Sequence, residues 1–229
     1  MHLALSYRKI MSRLHKTDMT DAQNVKYADN YSDMMNRSRN VGYLNTDDIL
    51  NFEILKGNVL EVGPGPGVLG INWLEKTENT HLTGIDICEE MIRNARTNAK
   101  RILKESHRAE YVVGNAEDMP FAANTFDAMF SNSSLHEWEH PEKVLSEIQR
   151  VLKPGAKFFI SDFRKDMEKE YKYFIIATTA KDLRKELRES MEEAYTKEDA
   201  EDLLRQCNYQ DFIVELTPFS LTIKGQIKE

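Results

Sequence analysis

The chain has 229 residues, of which 41% are hydrophobic, so it is long enough for one full-sized domain with a buried core. Its formal net charge of -7 argues against non-specific binding of nucleic acid, which depends on a basic surface. No apolar run is long enough to cross a bilayer, and the opening residues lack the apolar centre of a secretory signal, so we predict a cytoplasmic protein with no membrane span. Cys88 and Cys207 are predicted to be reduced structural residues.

Strand and helix patterns alternate along the chain from about residue 57. The predicted strands cover residues 58–63, 81–87, 109–116, 126–132 and 157–162, and the helices between them cover residues 68–75, 89–103 and 141–152. Lys153-Pro154-Gly155 is predicted to end the last of these helices and to turn the chain into the fifth strand. This alternation predicts a Rossmann-like, doubly wound α/β fold with helices on both faces of the sheet. Its ligand site should lie at the carboxyl ends of the strands.

The two ends of the chain depart from this rhythm. Before the first strand there is no strand signal, and Tyr27, Tyr31, Met34 and Met35 are predicted to share one face of a helix, with Thr46 as the cap of the next helix. After the fifth strand comes a long charged stretch, residues 165–192, which predicts a solvated helix pair or else a mobile lid or dimer contact.

A capped helix and two closely spaced strands complete the chain. Thr196 with Asp199 resembles a helix-starting cap. Residues 211–219 and 220–228 must pair antiparallel as a hairpin, because the connection between them is short. We therefore predict a seven-stranded sheet in a single domain, as a monomer or homodimer. Its parts are an N-terminal helical cap at 1–45, a cofactor-binding core at 46–162, a helical insertion at 163–195, and a helix and hairpin at 196–229.

A glycine-rich loop, Glu61-Val-Gly-Pro-Gly-Pro-Gly67, closes the first predicted strand. Gly65, Gly67 and Gly70 have the spacing of a dinucleotide-binding loop. Pro64 and Pro66, however, have no N–H to donate to a pyrophosphate, and the Glu61 carboxylate would repel a phosphate and attract a cation. The loop favours a positively charged cofactor without phosphate, such as S-adenosylmethionine, over the nicotinamide dinucleotide of an oxidoreductase.

Several motifs, in this order, resemble those of the class I S-adenosylmethionine-dependent methyltransferases, and within them the group that includes the ubiquinone and menaquinone C-methyltransferases. They are the loop at 61–67, Asp86 at the end of the second strand, the segment 115–121, the segment 131–136, and Val151-Leu-Lys-Pro-Gly155 before the fifth strand. The resemblance runs from about residue 55 to residue 165 and implies S-adenosyl-L-methionine as the cofactor.

The resemblance also implies which residues hold the cofactor: Tyr27, Glu61, Gly63, Gly65, Gly67, Asp86, Ile87, Asn115, Ala116, Glu117 and Ser131. Glu61 would face the ammonium group, directly or through water, and the loop glycines would let the backbone approach the cofactor closely. Asp86 would accept the ribose hydroxyls, and Ile87 would pack on the adenine.

Other cofactor positions are implied in the same way. Asn115 stands where the family more often has aspartate, so Ala116 and Glu117 would share the contact to the adenine edge. Ser131 would border the methionine moiety. Tyr27 would lie over the cofactor, unless its helix face belongs to the core.

His136 is the candidate general base, because an imidazole changes charge near neutral pH. Methyl transfer from a sulfonium is an in-line displacement, and only an acceptor that must lose a proton needs such a base. Alternatively, His136 simply hydrogen-bonds a backbone carbonyl. Trp138 and Phe163 either stack on a planar acceptor or belong to the core. No metal site is predicted.

We therefore predict a methyltransferase that acts on a small-molecule acceptor and not on nucleic acid. The alternatives are a nucleic-acid or protein methyltransferase, a non-catalytic cofactor-binding member and, less favoured, an NAD-dependent oxidoreductase. Amino-methyltransferases of nucleic acids have an Asn or Asp-Pro-Pro-aromatic motif after the fourth strand, where this chain has Ser131-Asn-Ser-Ser134.

Overall fold

The computed structural model describes residues 21–42 and 44–228. The first 20 residues of the predicted N-terminal cap lie outside this range. The helices are α1 Asp21–Asn40, α2 Thr46–Asn51, α3 Val68–Glu75, α4 Glu89–Ile102, α5 Pro141–Val151, α6 Lys169–Thr178, α7 Arg184–Glu193 and α8 Lys197–Gln206. The strands are β1 Gly57–Val62, β2 Thr80–Asp86, β3 Ala109–Val113, β4 Phe126–Asn132, β5 Leu152–Phe163, β6 Asp211–Leu216 and β7 Ser220–Gln226.

The seven strands form one sheet in the order β3-β2-β1-β4-β5-β7-β6. Strands β1 to β5 are parallel, whereas β7 runs antiparallel between β5 and β6. This confirms the predicted doubly wound sheet with an antiparallel C-terminal hairpin. The strand order reverses between β1 and β4, so a crevice opens at their carboxyl ends, where ligands bind in such sheets. The glycine loop leaves β1 at this point.

Hydrophobic cores cover both faces of the sheet. Because side chains alternate along a strand, Leu60 and Val62 of β1 pack with α5 and α8 on one face. Val59 packs on the other face, with Trp73 of α3. The Trp73 indole is fully buried, and its Nε1–H donates to the Ile54 carbonyl over 2.8 Å. Burying each such large side chain stabilises the fold by roughly 1.5 to 3 kcal/mol.

The Lys153-Pro154-Gly155 turn lies inside β5 and not before it. Helix α5 ends at Val151 and β5 begins at once at Leu152. The pairing with β4 shifts here, so that Leu152 lies opposite Phe126 but Lys157 lies opposite Ala128. Gly155 supplies the positive φ of 76° that this bulge requires. The prediction that the fifth strand starts after this turn was therefore wrong.

The start of α2 also differs from the prediction, whereas the start of α8 confirms it. Asn45, not Thr46, occupies the N-cap of α2, because the buried Thr46 hydroxyl donates to Oδ1 of Asn72 over 2.8 Å. At α8, the Thr196 and Asp199 side chains form the reciprocal capping box that the spacing indicates.

Helices α6 and α7 confirm the predicted helix pair between β5 and β6. Leu183, directly before α7, and Met191, within α7, are buried. Helix α6 buries none of its side chains, and Tyr173 and Phe174 are exposed. Helix α7 therefore provides the anchor, packing against the short turn Leu135–Glu137 that follows β4.

Candidate active site

The three loop glycines all have positive φ, and at two of them the missing side chain makes room for the protein itself. A Cβ at Gly63 would collide with the Ser134 hydroxyl, and one at Gly67 would lie 2.7 Å from the Tyr111 hydroxyl. At Gly65 the nearest atom belongs to the Tyr31 ring, at an ordinary contact distance of 3.5 Å. Gly63 and Gly67 are thus required for packing, and their contact with a cofactor stays a prediction.

The backbone N–H groups of the loop are already used within the protein. The Gly63 N–H donates to the Ile85 carbonyl over 2.9 Å, and the Gly67 N–H donates to the Pro64 carbonyl over 2.9 Å. The Gly65 N–H donates to Oδ2 of Asp86 over 3.0 Å. The two loop prolines have no N–H. Residues 63–67 therefore present no unused donor to a pyrophosphate, which fits a cofactor without phosphate.

Glu61 lies beneath this loop, on the sheet face that α3 covers. Its side chain is 2% exposed and accepts a hydrogen bond from the Gly70 backbone, and within the described chain its Oε2 has no hydrogen-bond partner. A Cβ at Gly70 would collide with Oε2, so Gly70 is the residue that makes room for the carboxyl group. Burial raises the Glu61 pKa to about 8, opposed by the Gly70 bond and reinforced by Asp86. The predicted contact of Glu61 with the ammonium group stays a prediction.

Asp86 ends β2 directly beside the loop. Besides the Gly65 N–H, its carboxylate accepts the Cys88 N–H at Oδ1 over 2.9 Å, which ties the glycine loop to the start of α4. Asp86 thus supports the loop, and its predicted contact with the ribose hydroxyls stays a prediction. Ile87 follows with 72% of its surface exposed, and its packing on the adenine stays a prediction.

The segment after β3 is held by its own hydrogen bonds. Oδ1 of Asn115 accepts the Glu117 N–H over 2.9 Å, and Ala116 packs against the core. The Glu117 carboxylate accepts the His140 N–H over 3.2 Å, at the start of α5, and has Lys143 at 3.5 Å. Glu117 is thus bound to α5, and the predicted adenine contact would have to share its carboxylate with that helix.

Helix α1 brings Tyr27 and Tyr31 to the carboxyl edge of the sheet. Their rings stack with centroids 6.2 Å apart, and Tyr31 lies against Gly65. Burial raises the Tyr27 pKa, and the nearby Glu137 and Glu186 raise it further. The pair therefore lies between the loop and α7, and the contact of Tyr27 with a cofactor stays a prediction.

A buried histidine and aspartate lie at the ends of β4 and β5. Nδ1 of His136 is 2.8 Å and 2.9 Å from the two carboxylate oxygens of Asp162. His136 is 3% and Asp162 4% exposed. Ser131 lies deeper in β4, where its buried hydroxyl donates to the Val62 carbonyl over 2.8 Å, and Trp138 belongs to the core.

Asp162 is the site residue that sequence reasoning missed. It is separated by 26 residues from His136, so no local pattern joins them. The available signal was its position as an acidic residue at the carboxyl end of a predicted parallel strand, the edge where ligands bind.

Comparison with known proteins identifies the family. A family model described as a methyltransferase domain matches residues 60–160, the segment that contains the loop, Asp86 and His136. The chain belongs to the class I S-adenosylmethionine-dependent methyltransferases. The cofactor of this family is S-adenosylmethionine, and the loop fits it, because residues 63–67 have no unused N–H donor for a phosphate and acidic residues, Glu61 and Asp86, lie beside them.

The chain is similar to two curated relatives and to one protein of known crystal structure. The chain is 31% identical over 165 residues to the ubiquinone/menaquinone biosynthesis C-methyltransferase of Rickettsia typhi, covering 66% of each protein. It is 36% identical over 106 residues to the mitochondrial 2-methoxy-6-polyprenyl-1,4-benzoquinol methylase of Caenorhabditis elegans, covering 45% of the chain and 37% of the relative. The chain thus spans only part of these relatives. An S-adenosylmethionine-dependent methyltransferase from Aquifex aeolicus shares the fold, with a TM-score of 0.66 and 24% identity over 86% of the chain and 98% of that protein.

Among residues 21–42 and 44–228, no helix combines the length and apolar character that crossing a membrane requires.

Proposed function

We propose that the chain transfers a methyl group from S-adenosylmethionine to a small-molecule acceptor by direct in-line displacement. The observation that carries this proposal is that the N–H groups of the glycine loop are all hydrogen-bonded within the protein. Its N–H groups at Gly63, Gly65 and Gly67 are used internally, and Asp86 holds the middle one. Such a loop favours a cationic, hydroxyl-bearing cofactor over a dinucleotide.

The acceptor would meet the cofactor above the ends of β4 and β5. His136 lies there and is the candidate base. The chain's own part in the reaction is to hold the acceptor in line with the methyl group, to exclude water and to take up a proton if the acceptor releases one. The C. elegans relative acts on a 1,4-benzoquinol, so a quinol is the first acceptor to test.

Calorimetry with S-adenosylmethionine, S-adenosylhomocysteine and NAD tests the cofactor. Because Asp86 supplies the hydroxyl acceptor and fixes the loop, we expect Asp86→Ala to weaken S-adenosylhomocysteine binding roughly 10- to 100-fold. Asp127→Ala is the matched control, since it also removes a carboxylate, one paired with Lys153 over 2.6 Å and bonded to the Asn58 N–H. Binding of NAD without binding of S-adenosylmethionine would refute the proposal.

Turnover is tested by S-adenosylhomocysteine formation with 2-methoxy-1,4-benzoquinol and then with a metabolite extract. Cofactor binding without turnover of either would favour the non-catalytic alternative, and turnover of nucleic acid or protein would replace the small-molecule acceptor. A cytoplasmic location, the single-domain division and the oligomeric state stay predictions.

A further inference from the structure

The carboxylate of Asp162 makes two kinds of hydrogen bond. It accepts two backbone N–H groups, that of His136 at Oδ2 over 2.9 Å and that of Phe163 at Oδ1 over 2.7 Å. It also contacts Nδ1 of the His136 ring with both oxygens. The backbone bonds alone would fix the path of the chain between β4 and β5. The ring contact is additional, and it acts on an imidazole, a side chain that can both donate and accept a proton.

The contact determines which ring nitrogen carries the proton. A neutral imidazole has one N–H donor and one nitrogen lone pair, and a carboxylate can only accept. Nδ1 therefore carries the hydrogen, and Nε2 carries the lone pair. The negative charge of Asp162 also stabilises the imidazolium that forms when Nε2 takes a proton, as in other carboxylate–histidine pairs.

We propose that Asp162 is a positioning residue that holds His136 in the Nδ1–H form as a proton acceptor, and that the methyl acceptor is therefore a group that loses a proton, such as a hydroxyl or an acidic carbon. This inference rests on the proposed function and assigns its acceptor class. A thioether or a tertiary amine has no proton to lose, so it would make no use of the pair.

In the proposed step the acceptor loses a proton and gains a methyl group. The acceptor X–H bond breaks, its electron pair stays on X, and the proton passes to Nε2 of His136. The pair on X forms the bond to the methyl carbon, and the pair of the breaking C–S bond moves to sulfur. The products are X–CH3, S-adenosylhomocysteine and the His136 imidazolium, which then releases its proton to water.

Other titratable groups surround the pair. Tyr195 follows α7, and burial raises its pKa to about 12, with further contributions from Asp162, Asp199 and Glu142. It therefore stays neutral at the pH where an imidazole titrates. Glu137 is the neighbour of His136 in the turn and is exposed. The Phe163 ring lies 6.4 Å from the imidazole and supplies an apolar wall.

Nitrogen NMR of the protein labelled at its histidine rings tests the tautomer without any acceptor. The His136 signals are those lost in His136→Gln. At pH 8 we expect a protonated Nδ1 and a bare Nε2 in the wild type, and a mixture of the two forms in Asp162→Asn, whose imidazolium should also lose its proton at lower pH. A wild-type ring protonated at Nε2, or a ring unchanged by Asp162→Asn, would overturn the inference.

Kinetics separate positioning from a structural role. With 2-methoxy-1,4-benzoquinol we expect Asp162→Asn to lower kcat roughly 100-fold with little change in KM, and to move the acid limb of the pH profile to lower pH. In a His136→Ala background, Asp162→Asn should lower kcat little further, because the two residues act as one unit. Equal losses in both backgrounds would show a structural role.

Two further measurements complete the test. Tyr209→Phe, which removes a buried hydroxyl bond to the Leu145 carbonyl, is the control for lost stability and should leave the pH profile unchanged. Thioanisole and N,N-dimethylaniline resemble the quinol in size but have no proton to lose. Faster methylation of either compound than of the quinol would refute the proposed acceptor class. Failure to bind S-adenosylmethionine would refute the proposed function, but the NMR result on the His136 tautomer would still hold.

Discussion

Glu61 should make the stability of the fold depend on pH. Burial raises its pKa from an ordinary value of 4.5 to about 8, so the folded protein binds this proton more tightly than the unfolded chain does. Stability from this group is fully present below about pH 4.5 and is lost as the pH rises through about 8. Each tenfold difference in proton affinity corresponds to about 1.4 kcal/mol, so the whole loss is at most about 5 kcal/mol.

The change that tests this is Glu61→Gln, which keeps the shape of the side chain and removes the charge. Between pH 6 and pH 9 we expect the wild type to lose about 2 to 3 kcal/mol of unfolding free energy through this group. Glu61→Gln should lack that loss. Urea denaturation of both proteins at several pH values measures the difference between them, in which the other titrating groups largely cancel.

The result also bears on the cofactor. If the ammonium or sulfonium group approaches Glu61, it stabilises the carboxylate, and binding near pH 7 releases a proton. Calorimetry in two buffers of different ionisation enthalpy measures that proton. A constant difference in stability between wild type and variant across pH would refute the reasoning about burial. Binding without proton release would show that Glu61 supports the loop only.

Two further predictions concern packing around the loop. Gly67→Ala should destabilise the fold by about 2 to 4 kcal/mol in thermal or urea unfolding, because its Cβ would meet Tyr111 and Ala95, whereas Gly42→Ala, with a similar φ and nothing within 4 Å, should cost only about 1 kcal/mol. Asn98→Ala should weaken cofactor binding in calorimetry, since buried Asn98 joins Ser32 of α1 to the Pro66 carbonyl. The control is Thr97→Ala on the same helix, an exposed residue whose hydroxyl donates to the Arg93 carbonyl. Equal affinities for the two variants would show that α1 does not cover the cofactor.

Most of the sheet could be predicted because its signals are local. Asp86 ends β2 and Glu89 begins α4 as the sequence indicates, since a buried strand is an apolar run and an amphipathic helix repeats every three or four residues. The Lys153-Pro154-Gly155 bulge could not be predicted in this way. Its place within β5 depends on pairing with β4, 26 residues away at Phe126 and Leu152, and not on its own turn residues.

The sequence indicated which residues lie at the carboxyl edge of the sheet, but it did not indicate the contacts that they make with one another. The loop prolines and Glu61 correctly favoured a cofactor without phosphate. That Gly70 makes room for a buried Glu61, and that Asp162 holds His136, are consequences of elements brought together by the fold. The sequence spacing of the residues involved predicts neither contact.

Helices α6 and α7 enter and leave the sheet at one point. Arg164, just after β5, bridges Tyr195, just before α8, and the Lys165 N–H donates to the Tyr195 carbonyl over 3.0 Å. The segment between these residues therefore begins and ends at neighbouring positions beside the sheet, and it interrupts no strand pair. A different insertion between these two residues would therefore leave every strand pair, the β1 loop and Asp86 in place, so the length and sequence of this segment can vary independently of the predicted cofactor residues.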